Sequence, residues 1–198
     1  MADLPKGREI AIAGGERLLV RPVRRQDETA LAEMLGRASP EDIRFRCFGA
    51  VKDFPHVLAS RLVGVDPKQE ATLVALAEDT GELVGVVHII CERLHPNIAE
   101  YDIMVRSDHQ GHGLGYRLMQ EILSEARRRG LAAVEGYILR DNKAMRVMAR
   151  ELGFKSIATE GDVVLMRAQL APGTCLRSKA LYGSFAAESC SMLLSPLM

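Results

Sequence analysis

The segment at 110–115 reads Gln-Gly-His-Gly-Leu-Gly, and the junction it forms constrains the fold more than any other part of the chain. Residues 99–105 before it are short and rich in β-branched and aromatic side chains, which is typical of a strand. After it, apolar side chains recur at helical spacing at Leu114, Leu118, Met119, Ile122, Leu123 and Ala126. The sequence therefore predicts a strand, a glycine-rich turn and an amphipathic helix in direct succession.

A turn of this kind is suited to binding an anion. The first N–H groups of a helix have no intrahelical partner, and glycines let a phosphate approach them closely. The glycines alone are weak evidence, because 17 glycines in 198 residues give roughly 1.5 Gly-x-Gly matches by chance. A dinucleotide fingerprint is excluded because Leu118 occupies the third glycine position, and the Lys-Ser/Thr pair of a P-loop is missing.

Patterning over the rest of the chain predicts a mixed α/β domain. A strand is predicted at 17–23, followed by a helix around Leu31 and a second helix with an N-terminal signal at 39–42. Further strands are predicted at 72–78, 83–91, 99–105, 133–139 and 163–169, with another helix at 142–152. Because the central helix joins two successive strands, a parallel crossover is expected within an otherwise antiparallel sheet.

Composition excludes several other classes of protein. Lys and Arg total 26 against 26 Asp and Glu, so no net field favours nucleic acid or an anionic membrane. No apolar run approaches the ~18 residues of a membrane-spanning helix, and no signal peptide is evident, which predicts a cytoplasmic protein. The four cysteines lack metal-ligand spacing, so no metal site is expected.

Two motifs together resemble the GNAT superfamily of acetyl-CoA-dependent N-acetyltransferases. The first is the Gln/Arg-x-x-Gly-x-Gly/Ala signature, present here as Gln110, Gly113 and Gly115. The second is the segment at 142–154, in which Asn142 precedes a short helix that ends at Gly-Phe. The segments at 39–48 and 99–101 are also similar to bacterial protein-lysine acetyltransferases that modify acyl-CoA synthetases. The resemblance implies the GNAT fold, with a mixed, mostly antiparallel sheet flanked by helices, over residues 16–170.

Acetyl-CoA is the cosubstrate that this resemblance implies. Its pyrophosphate is expected on the turn, and its pantetheine arm beside the preceding strand. The residues implied in cofactor binding are Ile103, Met104, Val105, Gln110, Gly111, His112, Gly113, Leu114, Gly115, Tyr116 and Asn142. Asn142 also has a simpler explanation as a helix N-cap.

Glu100 is the predicted general base. An exposed lysine has a pKa of ~10.4, so presenting it neutral at pH 7 costs about 4.6 kcal/mol. Glu100 lies on the strand that leads into the turn, and its position resembles the strand glutamate of protein-lysine acetyltransferases. Asp102, two residues further on the same face, is the reserve candidate, whereas Glu92 and Glu135 are interpreted as surface charge.

One departure from the family concerns the general acid. Many GNAT enzymes carry a tyrosine four residues before the closing glycine, where Ala149 stands here. Tyr116 and Tyr137 are alternatives, and water is another because a thiol leaves readily. For the histidines no acid–base role is assigned: His88 is predicted to be a hydrogen-bonded strand residue, and His109 and His112 exposed loop residues.

The leading hypothesis is acetyl transfer to a protein lysine, with an acyl-CoA synthetase or another protein as acceptor. A small-molecule amine acetyltransferase and a non-catalytic acyl-CoA sensor remain alternatives, as does a longer acyl donor, and the oligomeric state stays open. Residues 1–15 are predicted to be a flexible lead-in and residues 171–198 a tail without assigned function.

Overall fold

The computed structural model describes residues 7–47 and 54–170, which form one sheet with helices on both faces. Its strands are β1 (Arg8–Ala11), β2 (Arg17–Pro22), β3 (Glu70–Ala77), β4 (Leu83–Cys91), β5 (Ile98–Val105), β6 (Ala133–Leu139), β7 (Lys155–Glu160) and β8 (Val163–Gln169). Its α-helices are α1 (Glu28–Gly36), α2 (Pro40–Cys47), α3 (Phe54–Val63), α4 (Leu114–Arg128) and α5 (Lys143–Glu151).

The sheet has the order β1-β2-β3-β4-β5-β6-β8-β7, and its neighbours are antiparallel except for β5 and β6. The parallel pair is joined by α4, as the crossover argument predicts. The predicted mixed sheet, mostly antiparallel and flanked by helices, is therefore confirmed.

The parallel pairing between β5 and β6 is short. It joins three positions, Ile98 to Ala133, Ala99 to Val134 and Glu100 to Glu135. Beyond Glu100, β5 stays paired with β4 as far as Val105, and β6 stays paired with β8 as far as Leu139. The two strands therefore diverge after Glu100 and leave a fork between them.

Two apolar clusters hold the helices against the sheet. One packs α4 and α5 on one face, and the whole predicted apolar face of α4 is buried in it. The other packs α1 and α3 on the opposite face against β3, β4 and Met104 of β5. Because both faces of the central strands are covered, β4 is buried along nearly its whole length.

Three elements are absent from the sequence interpretation. β1 lies inside the predicted flexible lead-in, but it forms a hairpin with β2 that buries Ile10 and turns at Gly14 and Gly15, both with positive φ. α3 buries one short apolar face, which its proline-containing first turn obscures. β7 is an edge strand whose side chains are mostly exposed, so it lacks an alternating pattern.

Some sequence predictions lie outside the described residues, namely those for residues 1–6 and for the tail at 171–198. In the part of the chain that the structure describes, no helix has the length and apolar character needed to cross a membrane.

Candidate active site

A cavity of about 510 Å³ lies at the fork, bordered by α2, β5, the glycine-rich turn, β6 and α5. Ten of the predicted site residues line it: Glu100, Ile103, Met104, Val105, Gln110, Gly111, Gly113, Gly115, Tyr116 and Asn142. His112 and Leu114 do not. The His112 side chain is exposed, and Leu114 is buried in the core beneath the turn, so only backbone groups of these two could reach a ligand in the cavity.

Positive φ angles shape the turn. Gly111 has φ 78° and Gly113, the N-cap of α4, has φ 89°. The first i to i−4 bond of α4 runs from the Arg117 N–H to the Gly113 carbonyl at 3.1 Å. The amides of residues 114–116 precede that bond, which is the geometry of an anion-binding helix N-terminus.

Asn142 caps α5, since its side-chain oxygen accepts a hydrogen bond from the Met145 N–H at 3.0 Å. The simpler explanation of this residue is therefore confirmed. Because Asn142 also borders the cavity, a contact with the cofactor stays a prediction.

The two carboxylates on β5 have different surroundings. Glu100 is half-buried, lines the cavity and stands at the last paired position before the fork. Asp102 lies 2.8 Å from the Arg46 guanidinium, and both of these side chains are largely buried. Both carboxylates line the cavity, but Asp102 is held in this ion pair, so Asp102 is the weaker candidate for the base.

A chain of polar side chains extends from Asp102 across β4 and β3 to α3. His88 Nδ1 lies 4.0 Å from Asp102, and His88 Nε2 lies 3.1 Å from Glu70, which accepts a bond from Arg61 at 2.9 Å. Burial would raise the pKa of Glu70, but hydrogen bonds from His88 and Arg61 outweigh it and lower that pKa. His88 is thus a hydrogen-bonded strand residue, as predicted.

The histidine in the short turn before the glycines differs from its prediction. His109 lies 3.1 Å from Glu16 and 2.7 Å from the Arg106 guanidinium, and its side chain is 16% exposed. The prediction of an exposed loop residue is wrong here, because charged neighbours from the β1–β2 hairpin and from the end of β5 surround the ring.

Helix α2 contributes cavity residues that the sequence did not assign, among them Phe45 and Arg46. Its predicted N-terminal signal is confirmed, since Ser39 Oγ accepts from the Asp42 N–H at 3.1 Å. Arg44 forms an exposed 2.7 Å ion pair with Asp141, just before α5. The helix therefore spans from one wall of the cavity to the other.

Glu92 and Glu135 are not surface charges, which corrects the sequence interpretation. Glu135 is 2% exposed and accepts a 2.6 Å hydrogen bond from Arg167. Burial, together with a hydrogen bond to Glu135, raises the pKa of Glu92 to about 7. The apolar strand around Glu135 was the available signal, because a lone carboxylate there cannot stay solvated.

All three tyrosines that the structure describes border the cavity, and Tyr101 is in addition a packing residue. Tyr101 stacks so closely on Gly136 that any Cβ there would overlap its ring, and it meets Phe154 edge-on at 5.3 Å. Tyr116 and Tyr137 line the cavity and stay candidates for the general acid. Ala149, at the usual acid position, is fully buried in the core.

Within residues 7–47 and 54–170, no three His, Cys, Asp or Glu side chains form a group that could hold a metal ion. The cavity combines the carboxylate of Glu100 with the glycine-rich turn at the N-terminus of α4.

Residues 39–154 match the model of the acetyltransferase (GNAT) family. Acetyltransferase PA5475 of Pseudomonas aeruginosa is 32% identical over 144 residues, which cover 71% of this chain and 76% of that protein. Acetyltransferase Pat of Mycolicibacterium smegmatis is 25% identical over 163 residues, 82% of this chain, but this chain spans only 49% of its length.

Solved structures agree with the fold. The GNAT domain of S. lividans PAT superposes with a TM-score of 0.74 at 22% identity, covering 83% of this chain and 97% of that one. The Salmonella typhimurium protein yncA, solved with its cofactor acetyl-CoA, gives a TM-score of 0.63 at 20% identity, with coverage of 81% and 98%.

Proposed function

Because the chain belongs to the GNAT acetyltransferase family, whose members use acetyl-CoA, we propose that it transfers the acetyl group to the side-chain amine of a protein lysine. The observation that carries this proposal is the position of Glu100, at the vertex of the fork and on the wall of the cavity.

The glycine-rich turn is proposed to bind the pyrophosphate of acetyl-CoA. Its two positive-φ glycines and the three amides ahead of the first helical bond support this role. Past Glu100, the edge of β5 that faces β6 carries backbone groups without a strand partner. Because backbone groups alternate between the two edges of a strand, those that face β6 lie at Ile103 and Val105, whereas those of Met104 face β4. The groups at Ile103 and Val105 suit the amides of a pantetheine arm, as in the addition of a strand to a sheet edge.

Glu100 is proposed to accept a proton from the lysine ammonium, directly or through one water. The neutral nitrogen then attacks the thioester carbonyl, a C–N bond forms and the C–S bond breaks. The thiolate leaves and takes a proton from Tyr116, Tyr137 or water. The attacking nitrogen loses its second proton as the amide forms, and this proton replaces the one that the donor gave up, while Glu100 returns its own proton to solvent. Asp102 is less suited to the first step because Arg46 pairs with it.

A cationic acceptor fits the charge around the cavity. Glu41 and Glu151 line it together with Glu100, whereas the guanidinium of Arg46 is already paired with Asp102. This acidic lining favours an ammonium ion. The sequence likeness to bacterial protein-lysine acetyltransferases supports a lysine over a small amine.

The test combines an acceptor screen with one substitution. Candidate acyl-CoA synthetases, other proteins and small amines are incubated with acetyl-CoA, and thiol release and lysine mass shifts are measured. With a working acceptor, Glu100→Gln is expected to lower kcat/KM by about 10²–10⁴-fold, the usual contribution of a general base, while the Kd for acetyl-CoA stays unchanged. Glu160→Gln, which alters an exposed carboxylate on β7, is the matched control and should leave turnover unchanged.

Three results would contradict parts of this proposal. Full turnover by Glu100→Gln removes that residue as base. Transfer to a small amine alone removes the protein acceptor. Binding of acetyl-CoA without transfer to any acceptor favours the acyl-CoA sensor instead.

A further inference from the structure

Asp42, in the first turn of α2, accepts hydrogen bonds from two different parts of the molecule. On its own helix end, Ser39 Oγ donates to Oδ2 at 2.7 Å and the Ser39 N–H donates at 3.3 Å. From the segment that precedes the glycines, Ser107 Oγ donates to the same Oδ2 at 2.7 Å, and Gln110 Nε2 donates to Oδ1 at 3.0 Å. One carboxylate therefore joins α2 to the beginning of the turn.

Gln110 completes this connection. Its side-chain amide also donates to the Val105 carbonyl at 3.0 Å, at the end of β5. Since Gln110 directly precedes Gly111, its position fixes where the turn begins. A shift of the turn would therefore change the hydrogen bonds to Asp42.

The carboxylate stays ionised in this setting. Burial would raise the pKa of Asp42, but the hydrogen bonds from Gln110, Ser39 and Ser107 lower it overall. Hydrogen bonds to a charged acceptor are stronger than neutral ones, so this connection is stiffer than a contact between neutral groups.

The other anchors of α2 lead elsewhere. Arg46 pairs with Asp102 on β5, and Arg44 pairs with Asp141 beside α5. Neither ion pair involves a residue of the glycine-rich turn. A change in the turn therefore reaches α2 most directly through Asp42.

We propose that Asp42 is a positioning residue that couples the glycine-rich turn to α2, so that acetyl-CoA bound at the turn orders α2, which borders the cavity. The inference rests on the proposed cofactor site. By linkage the coupling is reciprocal, so an acceptor that contacts α2 tightens acetyl-CoA binding by the same factor.

Two serine substitutions form a matched pair for the test, because each removes one 2.7 Å hydrogen bond to the same oxygen of Asp42. Ser107→Ala removes one of the two turn-side hydrogen bonds to Asp42, keeps that of Gln110 and leaves the cap of α2 intact. Ser39→Ala removes the cap and leaves the turn side intact. Gln110→Ala is a second variant on the turn side.

The readout is amide hydrogen exchange of the full chain, with and without saturating acetyl-CoA, in peptides that cover α2 and residues 106–117. In the unsubstituted protein, acetyl-CoA is expected to slow exchange in both segments, in α2 by at least about fivefold, the lower end of typical couplings. Ser107→Ala should keep the slowing in the turn and reduce it in α2, and Gln110→Ala should also reduce it in α2. The double variant, which removes both turn-side hydrogen bonds to Asp42, should reduce the slowing in α2 below about twofold. Ser39→Ala should speed exchange in α2 in both states and keep the ratio between them.

Slowing confined to the turn in the unsubstituted protein would overturn the coupling and leave the cofactor site standing. Full slowing of α2 in Ser107→Ala and Gln110→Ala would overturn it as well. Slowing in neither segment would overturn the cofactor site at the turn, and the coupling with it.

Discussion

The two sides of the cavity differ in the chemical groups that line them. On the side of the turn, the groups that face a ligand are backbone amides shaped by Gly111 and Gly113. On the side of α2, they are charged side chains held by partners, as Arg46 is by Asp102 and Asp42 is by Gln110. A backbone site depends on φ angles, whereas an ion-pair site depends on every partner being present.

This difference predicts how a substitution on each side affects the stability of the protein. A substitution on the turn side acts through local backbone strain and leaves the other side chains in place. A substitution on the α2 side leaves a buried charge without its partner, and it therefore affects the stability of the whole domain.

The largest effect on stability is expected from Asp102→Asn, which leaves the largely buried Arg46 without its carboxylate. Removing one member of a buried pair costs about 3–5 kcal/mol, and the lower figure applies because an amide still accepts a hydrogen bond. Urea unfolding measures this change. Combining it with Arg46→Met should restore much of the loss, since no charge then remains unpaired. A loss below about 1 kcal/mol in the single variant would show that the ion pair is dispensable.

A smaller effect is expected on the turn side, from Gly113→Ala. The left-handed φ of 89° at Gly113 costs a residue with a Cβ about 1–2 kcal/mol. Gly115→Ala is the matched control, because φ there is not positive and a Cβ would make only ordinary van der Waals contacts, of which that with Met148 Sδ at 3.6 Å is the shortest. Its unfolding free energy should stay equal or rise by up to about 0.5 kcal/mol, since alanine favours a helix. Equal losses in the two variants would contradict the role of φ.

The smallest expected effect is a pH dependence of the unfolding free energy, which arises from the charged side chains. The pKa of Glu92 is raised from 4.5 to about 7, so its contribution to stability is present below pH 4.5 and is lost as the pH rises through 7. The pKa values of Glu70 and Asp42 are lowered, so their contributions are lost as the pH falls below the ordinary values of 4.5 and 3.8. The unfolding free energy should therefore peak near pH 5.

Glu92→Gln tests this assignment. In this variant the fall in unfolding free energy between pH 5 and pH 8 is expected to be smaller by about 1 kcal/mol. This figure allows for solvent screening of the half-buried group. Urea unfolding at four pH values measures it. Parallel curves for the variant and the unsubstituted protein would assign the decline to other groups.

The sequence predicts the elements on the turn side of the cavity more completely than the contacts on the α2 side. The apolar spacing of α4 and the glycines at 111 and 113 are local patterns, and the strands at 133–139 and 163–169 coincide with β6 and β8. The pairing of Arg46 with Asp102, and of Glu135 with Arg167, joins residues far apart in the chain. No local pattern encodes such contacts. The apolar strand around Glu135 indicates its burial, but nothing near it in the sequence identifies Arg167 as its partner.

The brevity of the parallel pairing at 98–100 and 133–135 has a mechanical consequence. β1 to β5 form one antiparallel unit and β6 to β8 another, and few ladder hydrogen bonds join them. Rotation about this seam would widen or narrow the space between the two units while each unit keeps its internal ladder. Because the cavity lies at this fork, such a rotation would change its width.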